Sequence, residues 1–213
     1  MTHDVIRLVL AFAITLLSAP GYAQSVSVAA GLEYRPLNTP NPTLQASLDR
    51  IAKRSALWRS AVEAIRVTGR QVVIVTSEQV RVVESPGGEV KDAFDRGVLA
   101  EVAPAPHAGG EVDVVVAVVN LALLEEVHRQ RGSLPSEFHA DVDRILVHEI
   151  YGHAVPYLLA GALSGRCSDP QPGERAVDAC SIRRENAVRA ELGLGRRTNY
   201  GLDGLALMRG SHR

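Results

Sequence analysis

The chain has 213 residues, of which 46% are apolar and 4% aromatic, and this composition excludes a disordered tail or a collagen-like repeat. Its 23 basic and 24 acidic side chains give a formal net charge of −1, and the basic residues are spread along the chain. Because such a chain has no long-range attraction for polyanions, nucleic acid is not an expected partner.

Residues 1–23 have the pattern of a secretory signal peptide. Arg7 precedes an apolar run at 8–17, and small residues stand at the −3 and −1 positions of a cleavage after Ala23. A membrane-spanning helix needs about 20 apolar residues, roughly twice the length of this run. We therefore predict a periplasmic or secreted protein without stable membrane insertion after cleavage. The alternative is an uncleaved anchor.

The remainder of the chain is long enough for one domain. Residues 24–42 contain three prolines and no sustained periodicity, which indicates an extended lead-in to a domain spanning 43–213. From Thr43, apolar residues recur at spacings of three, four and seven, so we predict one amphipathic helix ending near Gly69. Its apolar stripe consists of Leu44, Leu48, Ile51, Trp58, Val62 and Ile65.

Short β-branched runs after this helix predict a small sheet. We expect strands at 71–75 and 79–84, and a further strand from Glu89 after a turn. The strongest strand pattern is at 112–119. It follows a Pro- and Gly-rich segment at 103–110, which we predict to be a loop holding His107.

Three helical segments follow in the second half of the chain. The first covers 121–129, and the second begins with Ser136 as its N-cap and is limited by Pro156. The third covers 174–192 and ends at Gly193. The expected fold is therefore α+β, a single domain with a small sheet, in which the second of these helices is followed by the third.

The clearest chemical feature is the sequence His-Glu-Ile-Tyr-Gly-His at 148–153 on the second of these helices. Two imidazoles with a carboxylate beside the first are what a helix-borne zinc site requires. A spacing of five separates the histidines by about 140° in a regular helix, too far to bind one ion. A single π-type turn would bring His153 back beneath His148, and Gly152 is the weak point that would permit it.

Glu185 is the predicted third zinc ligand. It interrupts an apolar stripe on the last helix, so its buried carboxylate needs a cation or hydrogen-bond donors. Zn²⁺ bound by His148, His153 and Glu185 would satisfy it and leave one position open. The alternative is an ordinary pair with Arg189 one turn on. Two reserve ligands are Glu174 and Asp178.

Glu149 is the predicted general base, which would accept a proton from the attacking water and return it to the leaving amine. Arg189, Arg197 and Tyr200 are candidates for stabilising the oxyanion or for holding a substrate carboxylate. Each of these three could equally have a structural role.

The chain has two cysteines, Cys167 and Cys180. In an exported protein they are expected to form one disulfide, which would tie the loop after the helix of the 148–153 motif to the predicted helix 174–192. The alternatives are two unpaired thiols or one metal-binding thiol.

Two segments resemble known zinc peptidases of the zincin type. The motif at 148–153, with glycine before the second histidine, resembles that of the dipeptidyl peptidase III family, which implies that this spacing can bind zinc and leave Glu149 as the base. A downstream set looks like the C-terminal signature of the effector-type zinc metallopeptidases, the M91 group: Glu185, Asn186, Arg189, Leu192, Gly193, Arg197 and Tyr200. Together they imply a zincin-like domain.

From these observations we expect an exported zinc metallopeptidase acting on a peptide or protein substrate. One alternative is a non-catalytic exported binding protein in which the motif is structural or degenerate. Another is a secreted proteolytic toxin, which shares the chemistry and differs in its target. Nothing in the sequence indicates an oligomeric state.

Overall fold

The structure is a computed structural model that describes residues 26–29, 32–35, 41–76, 81–83, 90–92, 99–106, 112–160 and 176–198. The fold is mixed α+β, as predicted. Its strands are β1 (Val26–Ala29), β2 (Leu32–Arg35), β3 (Gln71–Thr76), β4 (Arg81–Val83), β5 (Val90–Asp92), β6 (Ala100–Pro106) and β7 (Val112–Val119). The helices are α1 (Pro42–Arg54), α2 (Ala56–Thr68), α3 (Leu121–Arg131), α4 (Pro135–Leu146), a π-helix (Val147–Ala154), α5 (Val155–Ala160) and α6 (Ala176–Leu192).

Five strands form one sheet in the order β1-β2-β3-β7-β6, and β4 pairs with β5 in a separate two-stranded ribbon. Strands β2, β3 and β7 are parallel, whereas β1 and β6 run antiparallel at the two edges. Alternating side chains of β3 and β7 point to opposite faces. Val72, Ile74 and Val115 join the main core with the helices, while Val73 and Val116 belong to a second buried cluster.

Strands β1 and β2 lie within the segment predicted to be a lead-in. Leu32 and Tyr34 of β2 are buried in the main core, and the backbone N–H of Asn41 donates to the Tyr34 hydroxyl at 2.9 Å. Strands β1 and β2 are extended, as expected for this segment, and they belong to the five-stranded sheet, which therefore includes residues before Thr43. The period-two pattern of β2 covers only four residues, which is too short to stand out in the sequence.

The single helix predicted from Thr43 to Gly69 is two helices that meet at Ser55. The backbone of Ser55 is extended, with φ −110° and ψ 116°, and its hydroxyl accepts from Trp58 N–H at 3.0 Å. The same hydroxyl donates to Glu191 of α6 at 2.5 Å. The apolar stripe did not reveal the break because it is buried on both sides of Ser55.

The predicted loop at 103–110 is wrong over its first four residues, which belong to β6. Strand β6 can contain Pro104 and Pro106 because it is an edge strand of the described sheet. A proline that lacks an N–H on the outer side of an edge strand removes no hydrogen bond between strands. His107 lies outside the described residues.

Helix α3 ends at Gly132, whose φ of 63° lies in the left-handed region that favours glycine. The predicted cap Ser136 lies inside α4, which has Leu134 at its N-cap, and the Glu137 carboxylate accepts from Leu134 N–H at 2.8 Å. Among the described residues, no helix is long and apolar enough to cross a membrane.

Candidate metal centre

The π-helix holds both histidines of the motif and confirms the predicted turn. It spans Val147–Ala154, and the backbone N–H of Val155 donates to the Ile150 carbonyl five residues earlier. The insertion is therefore spread over eight residues, more than the single turn predicted. It continues α4 into α5 without a break in the chain's helical path.

Pro156 does not end this helix, contrary to prediction. It lies at the second position of α5 and supplies no N–H to the preceding turn. Arg184 Nε of α6 donates to the Gly152 carbonyl in that turn at 3.2 Å, so a neighbouring side chain supplies a donor there. A Cβ on Gly152 would lie 3.4 Å from Ser181 Cβ, which shows how closely α6 approaches the π-helix.

The π-helix brings the two imidazoles together. His148 Nε2 and His153 Nε2 are 3.2 Å apart, and the ring planes are at 88°. Both side chains are buried, each residue being 8% exposed. Two nitrogens bound to one tetrahedral zinc ion at about 2.0–2.1 Å lie about 3.3 Å apart. The pair is therefore spaced as two ligands of one ion would be.

Glu185 does not occupy the predicted ligand position. It is fully buried on α6, and its Oε2 is hydrogen-bonded to His148 Nδ1. Because the two nitrogens of imidazole point in divergent directions, a carboxylate at Nδ1 lies away from the point where both Nε2 atoms converge. Glu185 thus orients the His148 ring, which is the common arrangement behind a metal-bound histidine.

Two arginines also contact Glu185. Arg189 Nη1 donates to Oε1 at 2.8 Å, so the predicted alternative pair is present, and Arg197 Nη1 lies 3.2 Å from Oε2. Burial by itself raises the pKa of Glu185, but the hydrogen bond from His148 and the charges of His148, Arg197 and Arg189 hold that pKa below its usual range. The carboxylate is thereby kept as an acceptor at Nδ1.

Arg189 is 1% exposed, and its Nε donates to the Gly195 carbonyl at 2.8 Å. Because its guanidinium also donates to Glu185, Arg189 links that carboxylate to the backbone after α6, which is a structural role. Arg197 contacts Glu185 and lies 3.0 Å from His148 Nδ1, on the side of the ring away from His153. Two of the three predicted oxyanion candidates, Arg189 and Arg197, therefore contact Glu185. Tyr200 lies outside the described residues.

Glu149, the predicted base, is buried beside His148. Burial is the largest cause that raises the pKa of its carboxyl; the charges of His148 and Arg197 lower it, and the charge of Glu185 raises it. A carboxyl with a raised pKa in a buried site is typical of a general base.

Glu101 of β6 was missed by the sequence analysis. It is half-buried, and burial followed by the charge of Glu149 raises its pKa to about 7. Ala100 and Val102 pack against the main core, so alternation places Glu101 on the other face of the sheet. The only signal in the sequence was a carboxylate within an alanine- and proline-rich segment, which resembles an ordinary solvated position.

Cys180, near the start of α6, is buried and takes part in a disulfide. The other cysteine of the chain, Cys167, lies outside the described residues, as does Glu174, and nothing is described of the Asp178 side chain. The unpaired-thiol and metal-thiol alternatives do not hold for Cys180.

Within the described ranges, no group of three or more His, Cys, Asp or Glu side chains is arranged to hold one metal ion. The described site is therefore a pair of convergent imidazole nitrogens with a supporting carboxylate behind one ring. Comparison with known proteins adds nothing to this geometry, since no family model, no curated protein and no solved structure matches the chain.

Proposed function

We propose that the protein is an exported zinc metallopeptidase of the zincin type that hydrolyses a peptide or protein substrate. The observation that carries the proposal is the 3.2 Å separation of His148 Nε2 and His153 Nε2 in a π-helix. A spacing that would part the rings in a regular helix is compensated by the backbone, and π-type turns occur mainly at functional sites.

The donor set suits zinc. Imidazole nitrogens are preferred zinc ligands, and a carboxylate hydrogen-bonded to the far ring nitrogen fixes the ring and its tautomer. His148 and His153 would bind the ion, and Glu185 would orient His148. When bound, zinc supplies a Lewis acid that polarises a carbonyl and makes water more acidic.

The remaining chemistry belongs to Glu149. Glu149 follows His148 directly in the chain, and its carboxyl is buried. In the peptidase it would accept a proton from the attacking water and pass that proton to the leaving amine. Burial raises the pKa of the Glu149 carboxyl and so keeps it basic enough to take a proton, while the positive charge of Arg197 favours its ionised form, as a base requires.

The substrate could lie along β6. This edge strand packs beside the π-helix, and within the described sheet its outer side pairs with no other strand. Unpaired backbone groups at a sheet edge can bind an extended peptide by strand addition. On β6 these groups lie before Pro104, because Pro104 and Pro106 have no N–H to donate. A peptide seated there would run past the motif, which favours a peptide over a compact small molecule as substrate.

A non-catalytic exported binding protein is the second candidate. The observation that favours it is that the described residues provide two convergent ligands and no third side chain. A secreted proteolytic toxin would use the same chemistry as the first candidate and differs only in its target.

The test is zinc content by elemental mass spectrometry after reconstitution, followed by cleavage of a peptide library. We compare the wild type with His153→Ala and Glu149→Gln, and with His139→Ala, which removes an exposed histidine of α4 as a control. About one zinc per chain, lost only in His153→Ala, together with cleavage lost in Glu149→Gln, supports the peptidase.

Other results separate the candidates. Zinc that binds through His153 without any Glu149-dependent cleavage favours the binding protein. A wild-type protein that takes up no zinc, or a His153→Ala variant that keeps it, contradicts both the zinc site and the peptidase.

A further inference from the structure

We propose that Arg197 is a positioning residue, which acts through Glu185 to hold His148 in the tautomer and orientation that can bind a metal. The inference rests on the proposed function, because it concerns how that same site is kept ready. It assigns a role to the segment 194–198 after α6, which has no regular secondary structure.

The backbone of this segment is locked to α6. Asn186 makes two hydrogen bonds with Arg197, its Nδ2 donating to the backbone carbonyl and its Oδ1 accepting from the N–H, both at 2.8 Å. Arg189 Nε donates to the Gly195 carbonyl at 2.8 Å, and Gly193 turns the chain with φ 73°. An irregular segment held at three points can present one side chain in a defined place.

The side chain that it presents is Arg197. Its Nη1 lies 3.2 Å from Glu185 Oε2 and 3.0 Å from His148 Nδ1, and the side chain is 12% exposed. The partner nearer to His148 Nδ1 is the Glu185 carboxylate, so Nδ1 carries the N–H and Oε2 accepts from both the imidazole and Arg197. Guanidinium is a donor only, so the approach of Arg197 Nη1 to Nδ1 is then a contact between two donors and not a hydrogen bond. Oε1 is taken by Arg189. Each carboxylate oxygen therefore faces an arginine, and the plane of the carboxylate is set.

The donor and acceptor pattern selects the tautomer of His148. A neutral imidazole carries one N–H, and an acceptor fixed at Nδ1 requires that N–H to be on Nδ1. Nε2 then keeps the lone pair that faces His153 Nε2. Arg197 is the group that holds the acceptor oxygen in place on the Nδ1 side. Arg189 holds the other oxygen and cannot substitute for it.

Variants at 196 and 197 test this role. Arg197→Gln removes the charge, Arg197→Lys keeps it, and Arg196→Gln removes the neighbouring exposed arginine as a matched control. Asn186→Ala releases the backbone of Arg197 without changing its side chain. Zinc affinity is measured by competition with a chelating dye, and the His148 tautomer by nitrogen-15 NMR of the metal-free protein.

We expect Arg197→Gln to weaken zinc binding about tenfold or more, the effect of losing a partner behind a metal-bound histidine. Its His148 should shift toward the Nε2–H tautomer. Arg197→Lys should lie between Gln and wild type, Asn186→Ala should change both readouts in the same direction, and Arg196→Gln should change neither.

An unchanged tautomer in Arg197→Gln and Asn186→Ala overturns the inference, as does an equal effect of Arg196→Gln. If Arg197→Gln does not fold, the His148 tautomer and the zinc affinity of Arg197→Lys and Asn186→Ala are compared with those of the wild type instead. If the wild type binds no zinc, the proposed function fails. The tautomer comparison in the metal-free protein still decides the role of Arg197.

Discussion

Among the described residues, two buried sets combine a histidine, a carboxylate and an arginine, and one of these sets also includes a second imidazole. In the His128 set, His128 Nε2 lies 3.1 Å from Asp141 Oδ2, and Arg144 Nη1 donates to Oδ1 of the same carboxylate at 2.5 Å. In the His148 set, Glu185 contacts His148 Nδ1 and is held by Arg189 and Arg197.

The sets differ in which ring nitrogen meets the carboxylate. The carboxylate contacts His128 at Nε2, and the buried Nδ1 of this ring has no hydrogen-bond partner among the described residues. His148 uses Nδ1 and turns Nε2 toward a second histidine. A histidine–carboxylate pair is therefore common to structural and functional sites, and what defines the candidate metal centre is the second imidazole brought in by the π-helix.

The largest expected effect is on stability in the His128 set. Asp141→Ala leaves the buried Arg144 without its carboxylate, which should lower the free energy of unfolding by about 3–5 kcal/mol. Urea unfolding measures it, with Asp49→Ala, an exposed carboxylate on α1, as the control. A loss no larger than that of Asp49→Ala would show that the Asp141 pair is not needed for folding.

Metal affinity should separate the two sets next. Glu185→Gln keeps the shape of the side chain but removes the charged acceptor at His148 Nδ1, and should weaken zinc binding about 10- to 100-fold. Asp141→Asn, the same change in the His128 set, should leave zinc affinity unchanged in the folded protein. Competition with a chelating dye measures both. Equal losses in the two variants would remove the distinction drawn between the sets.

A pH effect is expected from Glu101, a carboxyl without a basic partner in the described part of the chain. Its pKa is raised from 4.5 to about 7, so the folded protein binds more protons than the unfolded chain between these values. Stability that Glu101 contributes should therefore be present below about pH 4.5 and be lost as pH rises through about 7.

Urea unfolding of metal-free protein across this pH range checks the effect. Glu101→Gln should flatten the decline, whereas Glu125→Gln, at an exposed position of α3, should not. A Glu101→Gln profile that parallels the wild type would contradict the raised pKa.

Reduction of the disulfide at Cys180 should have a smaller effect on the His148 set. Cys180 is next to Ser181 in α6, and Ser181 Cβ lies 3.4 Å from the place where a Cβ on Gly152 would be. The disulfide at Cys180 therefore fixes α6 close to its contact with the π-helix. We predict that zinc affinity falls under reductant, by less than in Glu185→Gln. Unchanged affinity after verified reduction would show that α6 is held without the bond.

The smallest effect is expected from Gly152→Ala. The added Cβ would meet Ser181 and His148 Nδ1 at 3.4 and 3.7 Å, which is ordinary contact. A helix gains up to about 1 kcal/mol from alanine over glycine, so stability should be unchanged or slightly higher. Gly152→Leu is the contrasting variant and should displace α6. Thermal unfolding compares the two, and a strongly destabilised Gly152→Ala would mean that the π-helix needs glycine for its backbone.

Local patterns were sufficient for parts of the fold and of the site. The strand at Val112–Val119 and the end of α6 at Gly193 follow from β-branched runs and a glycine cap. The π-helix was expected from the five-residue spacing of His148 and His153, on the hypothesis that both bind one ion and therefore share one face. By contrast, the break at Ser55 combines a local N-cap with a hydrogen bond to Glu191, which lies 136 residues further along the chain.

Spacing and periodicity within single helices were enough to predict the pair His148 and His153, the buried carboxylate Glu185 and the irregular turn between the histidines. The contact of Glu185 with Nδ1 of His148 could not be predicted in this way, since it depends on how closely α6 packs against the π-helix at Gly152 and Ser181. A shift of a few ångströms between two helices changes which ring nitrogen a carboxylate contacts, and the residue spacing within either helix does not specify the distance between them.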